Sequence, residues 1–139
     1  MAADLQLNFA AGPTVSGLFG SAITAGNSQT SSTIDLGSPG PVELGFELKI
    51  LTGTGTPADN KTWAVYVLWS QDGTDFTDAD LGQLIASGEI VASATDIKVL
   101  SIPVEGQHLK IHVDNDQGTG PDITTSSAIT LTDITGDQA

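Results

Sequence analysis

Apolar and polar residues alternate along a stretch near the middle of the chain. In the range 41–51, apolar residues take every second position, at Val42, Leu44, Phe46, Leu48 and Ile50. A period of two places these side chains on one face of a β-strand, whereas the 100° step of a helix would scatter them around its axis. The pattern therefore predicts a strand with one buried face and one face in water.

The neighbouring stretch 63–69 is apolar at every position and carries three aromatic residues. Such a strand is typical of the centre of a sheet, covered on both sides or meeting another subunit with its second face. In this strand Trp63 and Trp69 share one face and Tyr66 takes the other. The two tryptophans are predicted either as core and interface anchors or as a platform that stacks against a ligand.

Weaker strand patterns recur along the rest of the chain between loops rich in Gly, Pro and Asp. They fall in the ranges 5–9, 32–36, 84–91, 95–104, 108–113 and 124–134. Seven to nine short strands without helical periodicity predict an all-β fold, an antiparallel β-sandwich of the jelly-roll or immunoglobulin-like kind.

The first 32 residues differ from the rest of the chain. They are rich in Ala, Gly, Ser and Thr and, beyond a short alternation at residues 5–9, they show no sustained period. They predict an extended N-terminal arm over residues 1–32, attached to a single sandwich domain over residues 33–139, with a floppy terminus as the alternative. The residues of this arm predicted to bind a partner are Leu5, Leu7, Phe9, Leu18, Phe19 and Ile23.

The charge balance excludes one class of partner. Seventeen acidic residues face four lysines and no arginine among the 139 residues, which gives a net charge of −13. Such a surface repels nucleic acid, which proteins bind through Lys and Arg. No apolar run approaches the ~20 residues of a membrane span, and Met1-Ala2-Ala3-Asp4 lacks the basic start of a signal peptide. We therefore expect no nucleic-acid partner, no membrane partner and no export by the usual route.

Aspartate-rich loops raise the question of a calcium site. The candidate ligands are Asp72, Asp75, Asp78, Asp80, Asp114 and Asp116. Closely spaced carboxylates suit calcium, but an EF-hand register that starts at Asp78 places Gln83 where the loop requires glycine. Aspartate is also a common turn residue. The leading prediction is no cofactor, with calcium as the alternative.

The sequence does not point to an enzyme. Cysteine is absent, and none of the serines lies in a Gly-x-Ser-x-Gly elbow. No histidine or lysine stands in a recognisable nucleophile-and-base setting. We predict that the chain catalyses no reaction.

Two short motifs resemble a known group of proteins. The aromatic strand ends in Ser70-Gln71-Asp72-Gly73, and a later strand runs into Asn115-Asp116-Gln117-Gly118. These motifs, within roughly residues 41–118, resemble small β-sandwich virion proteins of tailed bacteriophages. The resemblance implies a capsid decoration or cement protein on the outer surface of a phage head. Its implied partners are the major capsid protein and further copies of itself, as a homotrimer.

Two other functions remain open from the sequence. One is a carbohydrate-binding or adhesion module, on a tail fibre or a cell surface, that would use Trp63 and Trp69 as its platform. The other is a spacer in a phage tail or baseplate. The binding-module alternative is favoured if the tryptophans are exposed beside an acidic loop, and the cement protein if the arm leaves its own domain.

Overall fold

A computed structural model of the chain describes residues 5–57, 61–116 and 120–138. Those residues form nine strands and one 3₁₀ turn at Ala79–Leu81. The strands are β1 (Leu5–Ala11), β2 (Ser28–Thr30), β3 (Ile34–Asp35), β4 (Glu43–Leu51), β5 (Thr62–Ser70), β6 (Gln83–Glu89), β7 (Thr95–Pro103), β8 (His108–Asn115) and β9 (Ala128–Gln138). Within the described ranges, no helix is long and apolar enough to cross a membrane.

The strands form two antiparallel sheets that pack face to face. The first sheet has the order β1-β9-β4-β7, and the second has the order β2-β8-β5-β6, with β3 also paired to β8. From β7 onward each new strand lies in the opposite sheet from the one before it, and among sheet neighbours β5 and β6 are consecutive while the others are distant in sequence. The prediction of an antiparallel β-sandwich is confirmed.

The core lies where the predicted alternation places it, except at Val42, which precedes β4 and is 56% exposed. The inward residues of β4, Leu44, Phe46, Leu48 and Ile50, are all buried, while Glu47 and Lys49 point outward. The inward residues of β8 are equally buried, at Leu109, Ile111 and Val113. Each such side chain contributes roughly 1.5–3 kcal/mol by leaving water, so these two central strands supply much of the stability.

The second face of β5 is covered by the chain's own loop. Leu68 lies on the outer face of the second sheet and is only 5% exposed. A Cβ atom added to Gly82 would lie 2.7 Å from Cδ2 of Leu68, so the backbone after the 3₁₀ turn runs directly over this side chain. The close approach accounts for the glycine at position 82 and for the apolar second face of the strand.

The structure corrects the prediction of a separate N-terminal arm. Strand β1 pairs with β9 along all seven of its residues, and β2 pairs with β8. Between them, Phe19 and Ile23 are buried in the core. Residues 5–32 therefore belong to the sandwich that was predicted to begin at residue 33. Their pattern is weak because the segment runs along the edges of both sheets in short pieces.

Candidate functional site

The two tryptophans of β5 lie on the same face, as predicted, but in different surroundings. Trp63 is 1% exposed, with Gly88 of β6 and Asn115 of β8 as its cross-strand neighbours. A ring enclosed in this way offers no face to a ligand. The predicted platform of Trp63 and Trp69 is thus corrected, since Trp63 is a core residue.

Trp69 lies at the rim of the sandwich and is half-buried. The ladder between β5 and β6 ends at the pair Val67 and Gln83, so among the described strands Trp69 has a neighbour in β8 alone. Its indole Nε1 donates a hydrogen bond of 2.8 Å to Oε1 of Gln83. This bond fixes the ring at the edge of an open hollow.

We call this depression the Trp69 hollow. It lies where β5 leaves the second sheet, beside the connection between β7 and β8, and has a volume of about 400 Å³. Its lining combines two aromatic rings with three carboxylates and several neutral polar groups. The lining residues are Trp69, Ser70, Gln71, Asp72, Asp75, Phe76, Thr77 and Glu105.

The floor of the hollow is held by a braced turn. Oδ1 of Asp72 accepts hydrogen bonds from the backbone N–H groups of Thr74 (2.8 Å) and Asp75 (2.9 Å) and from the hydroxyl of Ser70 (3.0 Å). Gly73 has φ of 76°, the left-handed conformation that favours glycine. The bond from the Asp75 N–H, followed by those from Thr74 and Ser70, lowers the pKa of Asp72 to about 2.

The second aromatic ring of the hollow, that of Phe76, has a lysine side chain over one of its faces. The ammonium group of Lys110 lies 4.5 Å from the ring centroid of Phe76, at cation–π distance. Lys110 projects from the outer face of β8 and so links the loop to the sheet. One face of Phe76 is therefore covered, and the half-exposed Trp69 is the main aromatic surface of the hollow.

The two motifs that resemble those of virion proteins contain residues whose hydrogen bonds hold loops of this fold in place. In the first motif the Ser70 hydroxyl accepts the N–H of Gly73 while it donates to Asp72, which closes the turn. In the second motif Asn115 is buried, and its amide donates to the carbonyl oxygens of Ile23 (3.0 Å) and Pro121 (3.1 Å). Ser70, Asp72 and Asn115 thus hold parts of the fold together, and Gln117 and Gly118 of the second motif lie outside the described residues.

Of the aspartates proposed as calcium ligands, Asp72 and Asp75 lie together in the lining of the Trp69 hollow. Among the described residues, no group of three or more His, Cys, Asp and Glu side chains could hold a metal ion. Asp72 is engaged in its turn, Asp78 immediately precedes the 3₁₀ turn, and Asp116 lies 3.9 Å from the ammonium of Lys61. Asp75, Asp80 and Asp114 complete the candidate set without forming a cluster.

A second depression crosses the outer face of the first sheet, and the sequence did not reveal it. It has a volume of about 390 Å³ and is mainly apolar. Phe9 and Val99, on the two edge strands, are 68% and 77% exposed, and Gly45 lies between them on β4. The alternation of Ile97 and Val99 in β7 was the available signal for an exposed apolar face.

The predicted partner-binding residues separate into exposed and buried groups. Leu7 and Phe9 are exposed on the outer face of β1, at 52% and 68%. Leu18 is half-buried, and Phe19 and Ile23 are core residues. The side chain of Leu5 lies outside the described residues. Among the described side chains of this set, Leu7 and Phe9 are the two that are exposed to a partner.

Comparisons with known proteins show the fold alone. No protein-family model and no curated protein sequence matches the chain. A structure of dimeric latent PorU from Porphyromonas gingivalis matches 99% of this chain at 15% identity and a TM-score of 0.50. A family GH115 4-O-methyl-α-glucuronidase with specificity for decorated arabinogalactans matches 79% at 12% identity and a TM-score of 0.50.

The chain spans only 13% of PorU and 14% of the glucuronidase, so each match is to one part of a longer protein. A family 35 carbohydrate-binding module from an environmental isolate is similar over 98% of this chain and 97% of its own length, at 14% identity and a TM-score of 0.43.

Proposed function

We propose that this chain is a non-catalytic β-sandwich module that binds a carbohydrate in the Trp69 hollow. The observation that carries the proposal is the meeting of a half-exposed indole with three carboxylates in one open depression of about 400 Å³. Ligand sites commonly combine an apolar surface with a few convergent polar groups.

The chemistry of the hollow matches the two surfaces of a sugar ring. The C–H groups of a pyranose form an apolar face that packs against an aromatic ring. Its hydroxyl groups donate hydrogen bonds, and bonds to a carboxylate are about twice as strong as those between neutral groups. Asp75 and Glu105 are exposed at the rim, where they can accept such bonds.

The state of Asp72 favours binding over catalysis. A general acid must hold a proton near the working pH, and the turn bonds lower the pKa of Asp72 to about 2. Its carboxylate therefore stays ionised and acts as a fixed acceptor. The glucuronidase acts on carbohydrate by its own description, but the likeness to it is one of fold, so the proposal depends on the hollow.

A glycan array followed by titration calorimetry with the best neutral oligosaccharide tests this proposal. We expect Trp69→Ala to lower the affinity at least tenfold, because the stacking surface is lost. Asp75→Asn and Glu105→Gln are expected to lower it severalfold each, and both residues are exposed, so the fold should persist.

The matched control is Glu89→Gln, which removes an exposed acid at the opposite end of β5 and β6 and should leave binding unchanged. The proposal fails if no glycan binds, or if a bound glycan keeps its affinity in a correctly folded Trp69→Ala variant.

The virion cement protein remains a second prediction, favoured by the exposure of Leu7 and Phe9 on an edge strand. The predicted mechanism of an arm draped over capsid neighbours is not available to residues 5–32, which lie in the sandwich. Co-sedimentation of the chain with purified phage shells, compared with a Phe9→Glu variant, would test this function.

A further inference from the structure

Within the part of the chain that the structure describes, β1 is an edge strand that lacks the usual protection of such strands. Its seven residues pair with β9 in continuous register and contain no charge and no proline. Natural proteins commonly shield such edges with charged residues, proline or a bulge. The opposite edge of the same sheet, β7, carries Asp96 and Lys98.

The absence of charge extends well beyond β1. Residues 5–34 contain no acidic or basic side chain, although the chain has 21 charged residues and a net charge of −13. This uncharged segment contains β1 near its start and β2 near its end, and each of these strands lies at one edge of its sheet. The first edge strand is thus a place where two acidic copies of this chain could meet with little local repulsion.

The direction of the backbone groups on the free edge follows from one hydrogen bond. Gly12 N–H donates to the carbonyl of Leu131 at 3.0 Å, in register with the β1–β9 ladder. In an antiparallel strand the backbone N–H and C=O groups of successive residues point alternately to the two neighbouring strands. The backbone groups of Ala10 and Asn8 therefore also point towards β9. The N–H and C=O groups of Leu7 and Phe9 therefore face away from β9, at the free edge.

We infer that two copies of this chain pair through β1, antiparallel, about a two-fold axis at Asn8. The two first sheets would then form one continuous eight-stranded sheet. In this register Leu7 of one copy lies opposite Phe9 of the second copy, and Leu5 lies opposite Ala11. The register uses every residue of the strand and makes about eight backbone hydrogen bonds, two for each of these pairs.

The side chains favour the same register. Leu7 and Phe9 are 52% and 68% exposed on the outer face. Pairing about Asn8 keeps the outer faces of both copies on the same side of the joined sheet, so Leu7 and Phe9 of the two copies form a continuous apolar row. A shift of the register by one residue would place the Leu7 and Phe9 side chains of one copy on the opposite side. Because the contact consists of one strand from each copy, we expect it to bury less than the roughly 1,600 Å² of a standard complex and the dimer to dissociate on dilution.

Cysteine substitution tests the register directly, because the chain contains no cysteine. Residue 8 of each copy would form a non-hydrogen-bonded pair with Cα atoms about 4.5 Å apart, within the range that a disulfide spans. We expect Asn8→Cys to give a disulfide-linked dimer in a mild oxidising buffer. The control Ala10→Cys is also exposed and on the same face, but its two copies would be about 13 Å apart and should remain unlinked.

Sedimentation of the unmodified chain over a range of concentrations provides the second measurement. We expect a monomer–dimer equilibrium that Phe9→Glu abolishes, since it places like charges on the edge, whereas Val99→Glu on the opposite edge leaves it intact. Equal crosslinking of the two cysteine variants overturns the register. A chain that stays monomeric and an Asn8→Cys variant that does not crosslink overturn self-pairing, and would leave the edge to a strand of another protein.

Discussion

Trp63 and Trp69 occupy the same face of the same strand and have opposite roles. Trp63 has strand neighbours on both sides and is enclosed between the sheets, whereas Trp69 lies beyond the end of the β5–β6 ladder. The difference of six residues moves an identical side chain from the core to the rim of a hollow. The role of each tryptophan therefore depends on where the neighbouring strand β6 ends. The sequence of β5 alone does not show where that is.

The sharpest way to break this comparison is to truncate each ring in turn. We expect Trp63→Ala to lower the free energy of unfolding by about 3–5 kcal/mol, because it leaves a large cavity in the core. Trp69→Ala should cost less than half of that, since its ring is already half-exposed. Urea denaturation monitored by far-UV circular dichroism measures both, and equal costs would contradict the assignment of the two roles.

The next test concerns the residue that makes room for Trp63. A Cβ atom on Gly88 would lie 2.7 Å from the Trp63 ring and 2.5 Å from Oδ2 of Asp96. Gly88→Ala should therefore destabilise the fold by about 1–3 kcal/mol through overpacking. Ser87→Ala, the exposed neighbour on β6, is the control and should be nearly neutral in the same denaturation experiment.

A smaller effect is expected at the partner of Trp69. Gln83→Ala removes the acceptor of the indole hydrogen bond and should cost about 1 kcal/mol or less, because water can replace it at this half-exposed site. The emission maximum of tryptophan fluorescence should shift to longer wavelength as Trp69 becomes more mobile. An unchanged spectrum would mean that the bond does not position the ring.

The smallest effect on stability is expected for a change at Asp72, in the turn that supports the hollow, and it should be seen only at acid pH. The folded-state pKa of Asp72 is about 2, below its ordinary value of 3.8, so its ionised form stabilises the fold above that ordinary value. This contribution should be lost as the pH falls through 3.8 towards 2. Thermal unfolding from pH 5 to pH 2 should show a shallower acid dependence in Asp72→Asn.

The pKa of Asp133 is shifted in the opposite direction from that of Asp72, so its effect on the pH dependence of stability should also be opposite. Burial raises its pKa, and its buried Oδ1 has no hydrogen-bond partner among the residues that the structure describes. Its ionisation therefore opposes folding, and its stabilising effect is present at low pH and lost as the pH rises above the ordinary value. An Asp133→Asn variant should steepen the loss of stability in acid, and the same direction in both variants would contradict this account.

The sequence predicted those parts of the fold in which one strand face is buried. The alternation in β4 and β8 predicted both strands and their inward residues, because period-two burial is a local property. The turn at Asp72 and Gly73 agrees with the preference of aspartate for turns, since the hydrogen bonds that close it join residues within a few positions of one another. Strand β2 was missed because its three polar residues at the sheet edge carry no apolar alternation.

The hollow could be predicted only in part. The aromatic strand and the acidic loop are adjacent in sequence, so the placement of Asp72 near Trp69 could be expected. Glu105 comes from a connection between two other strands, and its position depends on the order of strands in the sheets. The burial of Trp63 depends on Gly88, whose pairing partner the sequence alone does not identify.

The pairing of β1 with β9 also determines how the module can be connected to other chains. Leu5 lies opposite Gln138, so the backbone enters and leaves the sandwich at neighbouring positions, about 5 Å apart. A unit built in this way can be placed within a surface loop of a larger protein without separating the two ends of that loop.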